Sequence, residues 1–262
     1  MRTIKKINTG NIHSLITAQI NNGVPTDSDH ATRAWGNFKD HNQLLFQKLL
    51  IEQFGLCCYT ELNLADLKAE HGIGSHLEHE QPKNMYPQRT FDEANLLSCA
   101  LDSDNLVSYK NEQRFGGHYK DNNPHNQYDA NRFISPQSPI CRDYFVYIII
   151  DGTIAPKAGL SPVELDKATY TIAHLNLNAP FLKAERERWL TEIDNVLKPL
   201  ISSNDISAIE SIAQCELTLT SRGHPTLHRA AFDQLRPFHS ATRNLFGTIG
   251  QRVIAQFLPH ID

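Results

Sequence analysis

Between Thr60 and Pro139 the chain has no long apolar run, and Gly, His, Asn and Pro recur throughout. Such a stretch reads as a loop-rich segment. Clearer signals of regular structure stand on either side of it. On the N-terminal side, Asp40 reads as a helix N-cap, Leu44, Leu45, Leu49 and Phe54 recur near helical spacing, and Gly55 stands where such a helix stops. Before it, Asn21-Asn22-Gly23-Val24-Pro25 reads as a turn followed by a linker, so the first thirty residues are expected to form an irregular arm.

On the C-terminal side, β-branched and aromatic residues from Tyr144 to Ile150 precede Asp151-Gly152 and then Thr153-Ile154-Ala155, the strongest hairpin signal in the chain. Ser161-Pro162-Val163-Glu164 combines an N-cap serine, a proline at the first helical position and a capping-box glutamate. From there helices should dominate. Leu182, Trp189, Ile193, Val196 and Leu197 share one face of a helix beginning at Pro180, and breaks are expected near Ser202-Ser203-Asn204, Arg222-Gly223-His224-Pro225 and Arg236-Pro237.

The 262 residues are 40% hydrophobic and 21% charged, which excludes wholesale disorder and provides for a buried core. A net charge of -4 argues against a self-sufficient DNA-groove binder and for a localised binding face or a helper subunit. No stretch approaches the roughly 20 apolar residues that span a bilayer. The five cysteines, Cys57, Cys58, Cys99, Cys141 and Cys215, are odd in number and scattered, so free thiols or metal ligands are expected rather than a disulfide framework. These features imply a cytoplasmic protein with no membrane association.

The chemistry concentrates in His76-Leu77-Glu78-His79-Glu80-Gln81-Pro82-Lys83, followed by Asn95 and by Gly116-Gly117-His118-Tyr119-Lys120. Hydrolysis of a phosphodiester at neutral pH needs a base for water, a divalent cation for the developing charge, and a group that fixes the base's tautomer. A Glu-His pair, an amide and a second imidazole after a glycine turn are the residue types for those three tasks.

These segments resemble the HNH, or ββα-metal, nucleases, and more narrowly the HNH family that includes the PtuB component of Septu and retron-associated Septu antiphage systems. The resemblance rests on Met1-Arg2-Thr3-Ile4-Lys5-Lys6, Glu52 to Glu61, Leu77-Glu78-His79 with Pro82-Lys83, Asn95-Leu96-Leu97-Ser98-Cys99 and Gly117-His118. It continues through Phe145, Gly152-Thr153-Ile154 and Leu175-Asn176-Leu177-Asn178. It implies an α+β fold: a mostly helical body with an embedded ββα-metal site and a short β-hairpin. The implied division is an N-terminal arm and amphipathic helix over 1–55, a nuclease core over 56–140, and a hairpin with a partner-binding helical region over 141–262.

The resemblance implies His79 as general base, Asn95 as the residue orienting its loop, and Glu78 and His118 as ligands of a divalent metal ion, Mg²⁺ or Mn²⁺. Lys83 and Lys120 are candidate phosphate contacts. Neighbours 78 and 79 on a regular strand point to opposite faces, so they can serve one site only at a twisted strand end. The implied partners are a PtuA-like ABC-type ATPase and, in retron versions, a reverse transcriptase with its branched DNA-RNA product. The implied substrate is nucleic acid, DNA or a structured RNA such as tRNA. The family's cysteine knuckle is degenerate here: Cys57 and Cys99 remain, while Thr60 and Gly116 stand where cysteines would. Two thiolates do not make a tetrahedral zinc site, so structural zinc is not expected. The alternative expectation is a catalytically silent HNH-like interaction subunit of the same complex.

Overall fold

The computed structural model describes residues 1–7, 12–121, 127–223, 231–259 and 261. In chain order the elements are α1 (His13–Asn22), α2 (Ser28–Gly36), α3 (Leu44–Glu52), α4 (Leu64–His71), β1 (Ser75–His79), β2 (Leu96–Ala100) and α5 (Gly117–Asp121). There follow β3 (Phe145–Tyr147), β4 (Ile154–Pro156), α6 (Pro162–His174), α7 (Pro180–Ser202), α8 (Ile206–Leu217), β5 (Thr220–Arg222), β6 (Phe232–Gln234) and α9 (His239–Phe257). The strands pair as three separate antiparallel hairpins, β1-β2, β3-β4 and β5-β6, within a helical body, which is an α+β architecture. No helix among the described residues is long and apolar enough to cross a membrane.

Local signals set several boundaries. Asp40 accepts from the backbone N–H groups of Leu45 and Phe46 and so starts α3, and Gly55 follows its end at φ 78°. Ser161 and Glu164 form a reciprocal capping box at the head of α6. The third hairpin and the N-terminal helices depart from expectation. The arm before Asp40 holds α1 and α2, because Leu15, Ala18 and Ala34 bury against Leu45 and Leu49 of α3 together with Phe91 and Leu96. Packing secures these short helices, and α2 also has a local start signal, Asp27 accepting from His30 N–H as its N-cap. Gly23, at φ 71°, ends α1 as the turn signal implies.

The Asp-Gly hairpin forms, but with a wider turn. β3 stops at Tyr147, Ile148 N–H donates to Thr153 O, and Ile150 is exposed. Asp151 accepts from Thr153 N–H and Oγ1 and from Lys183, which builds the turn around its carboxylate. Gly152 sits at φ 66° where a Cβ would fall 2.0 Å from the Lys183 carbonyl oxygen, so α7 packs directly on the backbone of this turn. On α7 the buried line is Leu182, Arg186, Leu190, Ile193 and Leu197, while Val196 lies on the exposed side. The break expected at His224-Pro225 lies outside the described residues, between β5 and β6.

The largest core cluster takes residues from all three segments of the chain, among them Met1, Leu50, Leu101, Phe115, Leu182 and Phe238. A second, built on Leu197, Ala213, Leu217, Phe246 and Val253, joins α7, α8 and α9. The β1-β2 hairpin lies between the largest cluster and the α1–α3 cluster. Its outer edge on β2 is taken up by other segments. Leu96 O accepts from Lys6, Ser98 N–H donates to Gln53 Oε1, Ser98 O accepts from Gln53 Nε2 and Cys58 N–H, and Ala100 N–H donates to Cys57 Sγ.

Candidate functional site

The β1-β2 pairing sets His76 opposite Cys99, Glu78 opposite Leu97 and His79 opposite Leu96. Side chains alternate along β1, and the two faces meet different neighbours. His76 and Glu78 face α5. Leu77 and His79 face the α1–α3 cluster.

On the α5 side, Glu78 is buried among polar partners. Its Oε1 lies 2.7 Å from Lys120 Nζ and accepts from Tyr59 Oη at 3.3 Å, and its Oε2 is 3.2 Å from His76 Nε2. Burial alone would raise the Glu78 pKa, but the Lys120 charge and the hydrogen bond with His76 outweigh it and hold the carboxyl ionised, well below the usual range. The other His76 nitrogen, Nδ1, meets the Leu101 carbonyl oxygen, and its ring lies 4.2 Å from the His118 ring at 36°. The close approach depends on glycine: a Cβ at Gly117 would fall 2.1 Å from Glu78 Oε2, so the first turn of α5 rests on that carboxylate. Burial, with the neighbouring His76, lowers the His118 pKa to about 4.

On the opposite face, the His79 ring packs edge-on to Trp35 with centroids 4.4 Å apart. Its Nε2 lies 3.0 Å from the Thr90 carbonyl oxygen, a partner that can only accept, so Nε2 carries the proton and Nδ1 is the ring's acceptor. Burial is the main cause of a His79 pKa lowered to about 4, and the Lys83 charge adds to it. His79 is thus neutral at physiological pH with a fixed tautomer. The strand end does not twist enough to bring it onto the Glu78 face.

Asn95 staples the loop between the strands. Its Oδ1 accepts from Gln81 N–H at 2.8 Å, its Nδ2 donates to Gln81 O at 3.0 Å and Arg89 O at 3.3 Å, and its own carbonyl accepts from Glu80 N–H. The loop so tied carries Thr90, the partner of His79, which makes Asn95 a positioning residue for that ring.

Of the two candidate phosphate contacts, Lys83 is partly exposed near His79. Lys120 is placed otherwise than expected. It is 4% exposed, and besides Glu78 it donates to the backbone carbonyls of His79 at 2.6 Å and Glu80 at 3.1 Å. An ammonium committed to one carboxylate and two carbonyls inside the core is a strut for the end of β1, not a phosphate clamp.

Glu78, His118 and His76 present one carboxylate and two imidazoles to one region, a donor set that suits Mn²⁺, Zn²⁺ or Ni²⁺ better than the oxygen-seeking Mg²⁺. His76 was legible as the i−2 neighbour of Glu78 on the same strand face but carries no role in the motif. In donor type the three fit a divalent ion. Their ligand atoms are not all drawn within 4.8 Å of one another; among the described residues, Cys57, Cys58 and Cys99 are the group that reaches that closeness. Cys57 and Cys99 do converge, with sulfurs 3.8 Å apart, and Cys58 joins them although its spacing gave no reason to expect it.

A scan against protein-family models and a search of the curated proteins find no match to this chain.

Proposed function

We propose that the chain is a metal-dependent endonuclease of HNH type that hydrolyses nucleic-acid phosphodiester bonds. The observation that carries this reading is the packing of α5 on the β1-β2 hairpin. It gathers His118, His76 and Glu78 on one side of β1 while the next residue, His79, is held neutral in a single tautomer.

In this reading His79 accepts a proton from water at Nδ1, with Nε2–H anchored on Thr90 O and the anchor fixed in turn by Asn95. A divalent ion held by His76, Glu78 and His118 would stabilise charge on the scissile phosphate; because these three lie on the face of β1 opposite His79, the reading requires the end of β1 to turn when substrate binds. Lys83, close to His79, would meet the phosphate backbone. We propose in addition that the protein works in the cytoplasm with an ABC-type ATPase, as effector of an antiviral module, since its net charge of -4 suits recruitment of the substrate by another subunit.

A second reading, a catalytically silent subunit of the same complex, is favoured by two contacts: Lys120 neutralises Glu78, and Trp35 lies against His79. The two readings separate in one experiment. The purified protein, alone and with its ATPase, is incubated with plasmid DNA and with tRNA in Mn²⁺, beside His79→Ala and an EDTA control. The nuclease reading expects cleavage that both controls abolish. Cleavage that survives His79→Ala, or no cleavage by the unaltered complex on either substrate, overturns it.

A further inference from the structure

We propose that Cys57, Cys58 and Cys99 form a trithiolate site for one thiophilic d10 cation, Zn²⁺ or Cu⁺, in which Cys58 is the third ligand. The site lies outside the proposed nuclease residues and does not rest on that reading.

Four observations converge on it. The three sulfurs all lie within 4.8 Å of one another, and all three residues are buried. Sulfurs each about 2.3 Å from a shared ion stand roughly 3.8–4.0 Å apart, and Cys57 Sγ and Cys99 Sγ are 3.8 Å apart before any ion is added. The Ala100 backbone N–H points at Cys57 Sγ at 3.3 Å, a contact that favours sulfur as an anion. Beside Cys99, residue 116 is a glycine at φ 63° whose Cβ would sit 3.0 Å from Cys99 Sγ; any side chain there would crowd the sulfur, and none is present.

The local folding that makes the cluster is simple. Cys57 N–H donates to Leu62 O and Glu61 N–H donates to Cys57 O, closing a tight turn, while Cys58 N–H donates to Ser98 O and lays that turn against β2. Two adjacent cysteines on the turn thereby meet the one cysteine of the strand. Buried cysteines often serve only as small apolar groups. Three thiols in mutual contact differ, because their sulfurs form a soft donor face with a geometry an ion can fill. Ion binding displaces the remaining thiol protons to solvent and ties the turn to β2.

The test uses the full chain, purified under reductant and stripped with a chelator. It is titrated with Zn²⁺ in one arm and Cu⁺ in the other, each competing with a chromophoric chelator. The unaltered protein is expected to bind one ion per chain in at least one arm, at least 100-fold more tightly than Cys58→Ser, with Cys215→Ser unchanged because that exposed thiol lies outside the cluster. No binding in either arm, or equal affinity in Cys58→Ser, overturns the proposal. Should Cys58→Ser fail to fold, the unaltered protein decides: the bound ion must give thiolate-to-metal charge-transfer absorption, which carboxylate and imidazole ligands do not. Its absence in both arms overturns the proposal.

Discussion

Lys120 Nζ and Glu78 Oε1 stand 2.7 Å apart with side chains 0% and 2% exposed. A pair so buried contributes little net stability beyond an apolar pair of the same shape, but removing one partner strands the other charge away from water. Lys120→Met is therefore expected to destabilise the protein by about 3–5 kcal/mol in urea unfolding. The double variant Lys120→Met with Glu78→Gln should recover part of that loss. Equal destabilisation of single and double variants would show that Lys120 acts through its backbone contacts with His79 and Glu80 alone.

Asn95 is fully buried, and three bonds of its side chain hold the loop that carries Thr90. Asn95→Ala leaves the Gln81 and Arg89 groups without these partners and should cost about 1–3 kcal/mol. On the nuclease reading it should also lower kcat about tenfold or more with little change in KM, because the base is misplaced while the substrate contacts remain. A rise in KM alone would place Asn95 in substrate binding instead.

The folded-state pKa of His79, about 4, lies below the ~6.5 of an unfolded histidine. Between those values the unfolded chain holds the extra proton, so acid favours unfolding. The His79 contribution to stability is fully present above pH ~6.5, declines as the pH falls, and is exhausted below about 4. His118, also lowered to about 4, acts in the same direction. Urea unfolding between pH 7 and 5 should show stability falling with pH, and His79→Gln should flatten that slope. An unchanged slope in His79→Gln would show that His79 titrates normally.

Gly152 combines positive φ with an approach that leaves no room for a methyl group: the atom a Cβ would strike is the Lys183 backbone oxygen. Gly152→Ala should cost about 1–2 kcal/mol for the backbone conformation and about 1–3 kcal/mol for overpacking. Thermal unfolding checks it; Gly159→Ala, also at positive φ but with open space around it, isolates the first contribution.

What could be read from the chain beforehand was local. The Ser161–Glu164 capping box and the stops at Gly23 and Gly55 involve residues within one turn of each other, so their chemistry is written consecutively; Asp40 caps α3 from farther off, reaching Leu45 and Phe46 across the 3-10 turn His41–Gln43. The strand and helix of the candidate site follow the expected order, with Glu78, His79, Asn95 and His118 on or beside them. What could not be read depends on partners distant in sequence. The cover of Trp35 over His79, the pairing of Lys120 with Glu78, and the arrival of Cys58 beside Cys99 follow from how α2, α5 and the 57–61 turn dock on the hairpin. Helix α1 has no side-chain cap and is fastened by α3, α2 does carry a local signal in its Asp27 cap, and α5 is too short for any periodicity to show.

A sheet of two strands has a free margin on each side, and a free margin invites pairing with a second molecule. Here Lys6, Gln53, Cys57 and Cys58 occupy the β2 margin, and Lys120 takes the His79 carbonyl on the other. Side-chain nitrogens, an amide and a sulfur thus do what a third strand would do elsewhere. The β2 margin of the hairpin is thereby closed to a further strand without the sheet being widened.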